Sequence, residues 1–237
     1  MESYALKATG LTMRYGKMTA LDGLDLELPQ GKIIGLLGPN GSGKTTFIKL
    51  AAGLLTPTSG EITICGENIG PKSKALVSYL PDRPYFSKQL QVKKLLDFFA
   101  DFYEDFDRSR AEAMLSALGI DQKARFRALS KGTQEKVQLV LVMSRRAKLY
   151  LLDEPIGGVD PAARDYILNT IISNYDPSAT VLISTHLISD VERVLDEYLF
   201  LYNGRILQGG NADTVREETG KSLDEQFREV FKCLPNS

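Results

Sequence analysis

The chain has 237 residues, of which 25% are charged, with a formal net charge of −1 and a sequence pI near 6.0. This length suits one large α/β domain with a subdomain, and the lack of a basic excess argues against a nucleic-acid partner. No run approaches the roughly 18 apolar residues of a membrane span, so no span is predicted.

The chain's start and its cysteines indicate the expected compartment. Met1 to Gly10 contains no charged region followed by an apolar stretch, so no signal peptide is predicted. Cys65 and Cys233 are far apart and fit no metal-ligand spacing. A reduced cytosolic setting is therefore expected.

The first predicted elements are strands. Roughly residues 4–28 carry alternating apolar residues, among them Leu24, Leu26 and Leu28, and predict antiparallel strands. Glu61 to Cys65 predicts a further strand of that small sheet, and the apolar run from Ile33 to Leu37 predicts a buried strand of a parallel sheet.

A glycine-rich loop follows the buried strand and leads into a predicted helix over residues 46–52. Glycines allow several N–H groups to point at one anion, and the helix N-terminus adds its positive dipole end. Lys44 would reach the β- and γ-phosphates, and the Thr45 hydroxyl would ligate Mg²⁺. The alternative is an ordinary glycine-rich turn, but the strand–loop–helix context favours a nucleoside triphosphate site. The predicted phosphate-binding residues, eight of which fit Gly-x-x-x-x-Gly-Lys-Thr, are Gly38, Pro39, Asn40, Gly41, Ser42, Gly43, Lys44, Thr45 and Thr46.

Residues 87–146 are rich in helix-forming residues and predict a helical insertion. Phe98, Phe99, Phe102 and Tyr103 recur at helical spacing within it. We interpret this aromatic stripe as the core of the insertion, with a ligand-binding surface as the alternative.

Strands are predicted again at residues 149–152 and 181–184. The first ends in Asp153 and Glu154, at the edge where open α/β sheets place their ligands. Adjacent strand positions point to opposite sides, so the two carboxylates can have different tasks, and Asp153 would hold Mg²⁺ directly or through water. A polar strand end facing solvent is the alternative.

His186, the single histidine of the chain, follows the second strand and is expected near the triphosphate, although a lone histidine is more often a packed residue.

The end of the chain predicts a hairpin and a short helix. Residues 198–202 and 205–207 flank Asn203-Gly204, a typical two-residue turn. Leu223, Phe227, Val230 and Phe231 could lie on one face of a short helix.

One further motif, Leu129-Ser130-Lys131-Gly132-Thr133-Gln134, precedes a predicted helix. Together with the motifs above, its order and spacing make the chain resemble the ATPase subunit of an ATP-binding-cassette (ABC) transporter over almost its whole length. The resemblance to the family signature Leu-Ser-Gly-Gly-Gln is partial, because Lys131 and Thr133 replace a glycine and the glutamine. It implies an α/β fold: a P-loop NTPase core with a mostly parallel central sheet, an N-terminal antiparallel β subdomain and an inserted α-helical subdomain. We expect core and β subdomain at approximately 1–86 and 147–210, the helical subdomain at 87–146 and a short C-terminal extension at 211–237.

The resemblance also implies site roles. Glu154 would orient and polarise the attacking water, and His186 would sense and position the γ-phosphate and that water. Tyr15 would stack on adenine, with an ordinary strand aromatic as the alternative. Ser130 and Gly132, capping a helix that runs through Val137 to Ser144, would form an anion site for ATP bound by the other protomer. Asp160, followed by Pro161, matches the position that crosses the dimer interface.

Asp82 stands where the family usually has a glutamine, in Tyr79-Leu80-Pro81-Asp82. It offers an oxygen to Mg²⁺ but adds a negative charge and is one methylene shorter. Acidic residues here resemble the branch of bacitracin- and daunorubicin-type resistance exporters, which favours export. Arg83-Pro84-Tyr85-Phe86 suits a docking surface for a membrane-subunit helix, and a solvent-facing turn is the alternative.

The predicted function is hydrolysis of MgATP by a dimer, formed with a second copy or a homologous subunit, that drives a separate transmembrane permease subunit. The protein would be cytoplasmic and peripheral on the inner face of the membrane through that partner. A soluble ABC ATPase of an assembly machine, such as iron–sulfur cluster assembly, stays open as an alternative. A nucleotide-binding module without turnover is disfavoured by Glu154 and His186.

Overall fold

The computed structural model describes residues 4–87 and 89–232, without the side chains of residues 161–163; Cys233 lies outside this part. The strands are β1 Tyr4–Tyr15, β2 Met18–Pro29, β3 Ile33–Leu37, β4 Ser59–Ile64, β5 Glu67–Asn68, β6 Val77–Leu80, β7 Leu149–Asp153, β8 Thr180–Thr185, β9 Glu197–Tyr202 and β10 Arg205–Asn211. The α-helices are α1 Lys44–Ala51, α2 Pro71–Leu76, α3 Val92–Phe102, α4 Arg108–Ala117, α5 Lys131–Met143, α6 Pro161–Asn174, α7 Ile188–Val191, α8 Ala212–Thr219 and α9 Leu223–Lys232.

The described strands form two sheets, which confirms the predicted α/β class. The first has the order β2-β1-β4-β5 and is antiparallel, as the alternating residues of its first two strands predict. The second has the order β10-β9-β3-β8-β7-β6 and is parallel except for β10 against β9. Strands β3, β7 and β8 are buried throughout, which explains the apolar runs Ile33–Leu37, 149–152 and 181–183 within them.

The register of the parallel sheet brings three polar segments to one edge. Leu37 at the end of β3 pairs with Thr185, and Asp153 pairs with Ser184. The phosphate loop, the two carboxylates and His186 therefore leave adjacent strands at the same level. This edge is where ligands of parallel α/β sheets bind.

The turn between β9 and β10 is the predicted two-residue hairpin. Tyr202 pairs with Arg205, and the two residues between them have positive φ angles of 45° at Asn203 and 75° at Gly204. Asn-Gly tolerates this left-handed backbone, which matches the twist of the flanking strands. Helix α9 then packs Phe227 and Phe231 around Phe200 of β9, at ring-centroid distances of 5.2 and 6.2 Å.

A separate apolar cluster joins α3, α4 and α5 and contains Leu96, Phe99, Leu115 and Val140. The chain segment that forms it lies between β6 and β7, as predicted for a helical insertion. The exact domain boundaries stay a prediction.

The interpretation of the aromatic stripe as core was wrong for half of its residues. Phe99 is 3% exposed and Tyr103 packs against the helical cluster, but Phe98 and Phe102 are 52% and 67% exposed. Phe98 and Phe102 share one face of α3 because residues four apart on a helix are neighbours, Phe99 lies on the adjacent face, and Tyr103 follows the helix as its C-cap. Phe98 and Phe102 stack on each other on the outer face, with ring centroids 5.8 Å apart.

Candidate functional site

The phosphate loop has backbone positions that only glycine can fill. A Cβ at Gly38 would lie 2.3 Å from the Leu201 carbonyl oxygen, and one at Gly43, whose φ is +113°, would lie 2.6 Å from the Ala20 carbonyl oxygen. The loop is therefore pressed against neighbouring backbone, and α1 begins at Lys44 directly after it. This arrangement presents the free N–H groups of the helix start to an anion.

Lys44 is buried at the base of the loop, with 5% of its surface exposed. Its ammonium donates to the Gly38 carbonyl at 2.7 Å and to the Pro39 carbonyl at 3.2 Å. Burial lowers the pKa of Lys44, and the nearby Glu154 carboxylate acts in the opposite direction. A desolvated ammonium of this kind interacts strongly with any phosphate that reaches the loop.

Asp153 ends β7 and is 1% exposed. Its Oδ1 accepts hydrogen bonds from Ser184 Oγ at 2.6 Å and Thr45 Oγ1 at 3.1 Å, whereas Oδ2 is buried without a partner among the described residues. Burial raises the pKa of Asp153 above its ordinary value, because the charged form loses solvation.

These groups fit a Mg²⁺ ion bound together with phosphate oxygens. A buried carboxylate oxygen without a hydrogen-bond donor is an available ligand, and the Thr45 hydroxyl lies beside it. No cluster of three or more His, Cys, Asp or Glu side chains suited to a metal occurs in the described part of the chain. Mg²⁺ is usually held by one or two protein carboxylates plus substrate phosphates, and Asp153 supplies a carboxylate of this kind.

Glu154 is held by three side chains. Thr185 Oγ1 donates to its Oε2 at 3.1 Å, His186 Nδ1 lies 3.1 Å from both carboxylate oxygens, and Lys44 Nζ lies 3.5 Å from Oε1. Its backbone has a φ of +49°, an unfavourable conformation for a residue with a side chain, of a kind that concentrates at functional sites. The strained turn aims this carboxylate at the loop cation and at His186.

A cavity of about 1030 Å³ opens above these groups and combines residues that are distant in sequence. Tyr15 and Met18 line one side and are 42% and 63% exposed, which leaves an aromatic face for a planar base. Asp82, which is exposed, lines the cavity too, and its carboxylate lies 3.8 Å from Arg83. The predicted site residues that line this cavity are Tyr15, Asn40, Gly41, Gly43, Lys44, Thr45, Thr46, Asp82, Glu154 and His186.

The signature segment forms the start of α5. Ser130 is its N-cap, and its Oγ accepts from the Thr133 backbone N–H at 3.2 Å. Ser130 therefore caps this helix as predicted, whereas Gly132 lies within α5, which ends at Met143, next to Ser144. Ser130 is exposed, and a Cβ at Gly132 would meet nothing within 4 Å, so the helix start is open to solvent.

Ser130, Gly132 and Asp160 are not among the described residues that line the cavity. Lys131 does reach its rim: the Lys131 ammonium lies 3.7 Å from Glu135 and next to the backbone of Gly158. Asp160 is exposed in the loop before α6. Most of the predicted residues thus line this cavity, whereas Ser130, Gly132 and Asp160 lie within two residues of the lining residues Lys131 and Gly158.

Sequence reasoning missed Ser184 and Thr185, which position the two carboxylates. The signal was available, because Ser184-Thr185-His186 breaks an apolar strand with three polar residues.

Sequence reasoning also missed a second cavity, of about 1070 Å³, between β6 and the helical cluster. It is lined largely by apolar and aromatic side chains, with exposed Leu54, Tyr85 and Phe102 among them. We call it the aromatic groove. Lys74 and Glu104 supply charge at the same groove.

Arg145 forms part of the floor of the aromatic groove and is 2% exposed. Its guanidinium binds both Asp105 oxygens, at 2.9 and 3.1 Å, and donates to the Ala75 carbonyl at 2.7 Å and to the Val77 carbonyl. It also lies 3.8 Å above the ring of Tyr103. These contacts connect the segment after α3 to α2 and β6.

No helix in residues 4–87 or 89–232 combines the length and apolar character needed to cross a membrane. The family model for ABC transporters matches residues 21–157. That stretch includes the phosphate loop, the signature segment and both carboxylates.

Three bacterial proteins are similar over nearly the full chain. A Nod factor export ATP-binding protein I of Ralstonia nicotianae is 31% identical over 97% of this chain and 74% of that protein. The bacitracin transport ATP-binding protein of Bacillus licheniformis is 28% identical over 98% and 78%. A daunorubicin resistance ATP-binding protein of Streptomyces coeruleorubidus is 29% identical over 97% and 76%.

Solved structures are similar in fold as well as in sequence. An ATP-binding subunit of an ABC transporter is 29% identical with a TM-score of 0.84, covering 96% of this chain and 99% of that one. A component of the ABC transporter complex cbiONQ from Clostridium perfringens is 28% identical with a TM-score of 0.75, covering 99% and 97%.

Proposed function

We propose an export function for this chain, which belongs to the ABC transporter family. It is an ATPase subunit whose hydrolysis of ATP is coupled to transport. The observation that carries the catalytic proposal is the position of the Glu154 carboxylate, between Lys44 and His186 and next to the buried Asp153.

The reaction is attack of water on the γ-phosphoryl group to give ADP and phosphate. Glu154 accepts a hydrogen bond from that water and orients it, and His186 fixes the Glu154 carboxylate and contacts the γ-phosphate. Lys44 and the loop N–H groups bind the β- and γ-phosphates. When bound by Thr45 and Asp153, with Asp82 as a further oxygen near the cavity, Mg²⁺ supplies charge neutralisation to these phosphates.

We further propose that two protomers, either two copies or this chain with a homologous subunit, enclose ATP between them. The N-terminus of α5 supports this, because Ser130 is exposed and nothing lies within 4 Å of a Cβ at Gly132, so the helix start is open to an anion bound by a second protomer. Asp160, on the exposed loop after Glu154, would contact the second protomer. ATP binding would close this dimer, and hydrolysis would open it.

The membrane partner would insert an amphipathic helix into the aromatic groove. Three exposed apolar side chains, Leu54, Tyr85 and Phe102, line a concave surface next to the Asp82 loop. Such a groove is suited to the apolar face of a helix. The protein would therefore lie on the inner face of the membrane, attached through a separate permease.

Export is favoured by the relatives, whose printed functions are Nod factor export, bacitracin transport and daunorubicin resistance. The comparisons do not favour the alternative of iron–sulfur cluster assembly. The chain spans between 74% and 78% of these three relatives, so their substrates are not transferred to it.

Co-purification from native membranes tests the partner proposal. We expect tagged wild-type protein to retain a membrane-spanning protein, and Phe102→Ser to lose it because the groove loses an exposed aromatic contact. Leu207→Ser is the control, since Leu207 is also exposed but lies on β10. Absence of any membrane protein with the wild type, or equal loss with both variants, would contradict the proposal.

A further inference from the structure

Helix α5 is attached to β6 by polar contacts along one of its faces. Ser78 Oγ of β6 donates to the Val142 carbonyl at 2.9 Å. About one turn earlier on α5, Gln138 Nε2 donates to the carbonyl of Pro81, the residue after β6, at 3.4 Å. Pro81 precedes Asp82, so α5 is linked directly to the loop at the nucleotide cavity.

Gln138 is an unusual residue for this position because its amide is buried and only partly satisfied. The residue is 2% exposed, and its Oε1 has no hydrogen-bond partner among the described residues. A buried amide oxygen left without a donor loses the hydrogen bonds that it would make with water and destabilises the folded state. Buried polar groups in native proteins are nearly always paired with protein or with ordered water.

A small cavity of about 20 Å³ adjoins Gln138. Asp82, Glu135 and Glu154 line it as well, so it lies between the signature helix and the catalytic carboxylate. A cavity of about 10–15 Å³ can hold one water when two or more polar groups line it. Both conditions are met here.

We propose that Gln138 is a positioning residue that holds one water in this cavity, and that the amide and its water fix Pro81, Asp82 and Glu154 relative to α5. The water donates one hydrogen bond to Gln138 Oε1 and the other to a lining carboxylate. This inference rests on the proposed function in one respect, namely that Ser130, the N-cap of α5, faces the nucleotide of the second protomer. A shift of that helix would reach the water-orienting carboxylate through Gln138.

The hydrogen bonds of Gln138 should affect turnover more than nucleotide binding. The phosphate loop connects β3 to α1, whereas the described hydrogen bond of Gln138 is with Pro81. Gln138→Met is the appropriate variant, since it keeps an unbranched side chain of similar length and removes both the amide oxygen and the amide nitrogen. We expect KM for ATP within about two-fold of wild type and kcat lower by about three- to ten-fold, the effect of one hydrogen bond.

Ser78→Ala is the matched control. It removes a hydrogen bond between the same helix and the same strand but does not touch the small cavity. We expect its kcat to stay near wild type. An unchanged kcat in Gln138→Met, or an equal loss in Ser78→Ala, would overturn the proposal.

A crystal structure of the wild-type protein that resolves ordered water is the second test, and it holds even if Gln138→Met fails to fold. We expect one water within hydrogen-bond distance of Gln138 Oε1 and of Glu135 or Glu154. A direct protein donor to that oxygen, or no water there, would overturn the proposal. Neither test depends on the membrane partner, and ATP hydrolysis by the wild type tests the proposed function separately.

Discussion

The Lys44 ammonium and the Glu154 carboxylate form an ion pair, with Nζ 3.5 Å from Oε1 and both side chains largely buried. The phosphate-binding cation and the proposed water-orienting group are therefore direct partners. A γ-phosphate that enters the loop competes with Glu154 for Lys44. Exchange of this partner would release the carboxylate toward water at the moment when ATP is in place.

Lys44→Ala should nearly abolish ATP binding, with an affinity at least about 100-fold lower, because the phosphates lose a desolvated cation. Isothermal titration measures this directly. Lys49→Ala is the control, since it removes a lysine from the same helix α1. An affinity close to wild type in Lys44→Ala would remove Lys44 from the phosphate site.

Glu154→Gln should preserve ATP binding and lower kcat by about 10²–10⁴-fold, because a neutral amide orients and polarises the attacking water much less than a carboxylate does. It should also accumulate an ATP-bound dimer, detected by size-exclusion chromatography with ATP and Mg²⁺. Glu61→Gln on β4 is the control for the same chemical change far from this edge. A Glu154→Gln protein that stays monomeric and hydrolyses ATP normally would contradict both the role and the dimer.

Asp153→Asn should stabilise the protein without ligands and remove its Mg²⁺-dependent activity. Burial raises the pKa of Asp153 above 3.8, so the folded state favours the protonated carboxyl and ionisation costs folding free energy. The cost is present above the raised pKa and vanishes as the pH falls below 3.8. Asparagine is neutral at every pH, so its advantage should be about 1–3 kcal/mol at about pH 7 and smaller at about pH 4.

Urea unfolding of wild type and Asp153→Asn at both pH values measures this difference. The prediction would be contradicted if the variant were less stable than wild type at about pH 7, or if its gain in unfolding free energy were the same at about pH 4. Either result would show that ionisation of Asp153 does not destabilise the folded state.

Asp82→Asn should leave ATP affinity within a few-fold of wild type, because Asp82 is exposed in the cavity and its described ion pair is with Arg83 and not with a phosphate-loop residue. It should shift the Mg²⁺ dependence of hydrolysis and weaken stimulation of turnover by the membrane partner. Asp101→Asn, on the exposed surface of α3, is the control. Unchanged Mg²⁺ dependence and stimulation would reduce Asp82 to a turn residue.

Local signals in the sequence predicted the elements that depend on neighbouring residues. The phosphate loop, the strand before Asp153 and the Asn203-Gly204 turn each follow from a short pattern whose backbone requirements are strict. Lys44 lies near the two carboxylates because the strands that precede them end at the same edge of the sheet, as the rule for parallel α/β sheets predicts.

Contacts between distant segments could not be predicted in the same way. Helical spacing placed Phe98 and Phe99 in one stripe, but only the packing of α3 against α4 and α5 decides which of the two faces inward. The positive φ of Glu154 and its contact with His186 depend on how β7 and β8 lie side by side. The aromatic groove likewise arises where a helical segment meets β6.

Arg145 has a consequence for how the molecule melts. This buried cation is shared by Asp105, on the segment that follows α3, and by carbonyls at Ala75 and Val77, next to β6. Separating the two parts would remove the Ala75 and Val77 carbonyl acceptors from a buried guanidinium, which is costly in free energy. Heat should therefore unfold the helical insertion and the sheet in a single cooperative transition, because Arg145 couples the two parts.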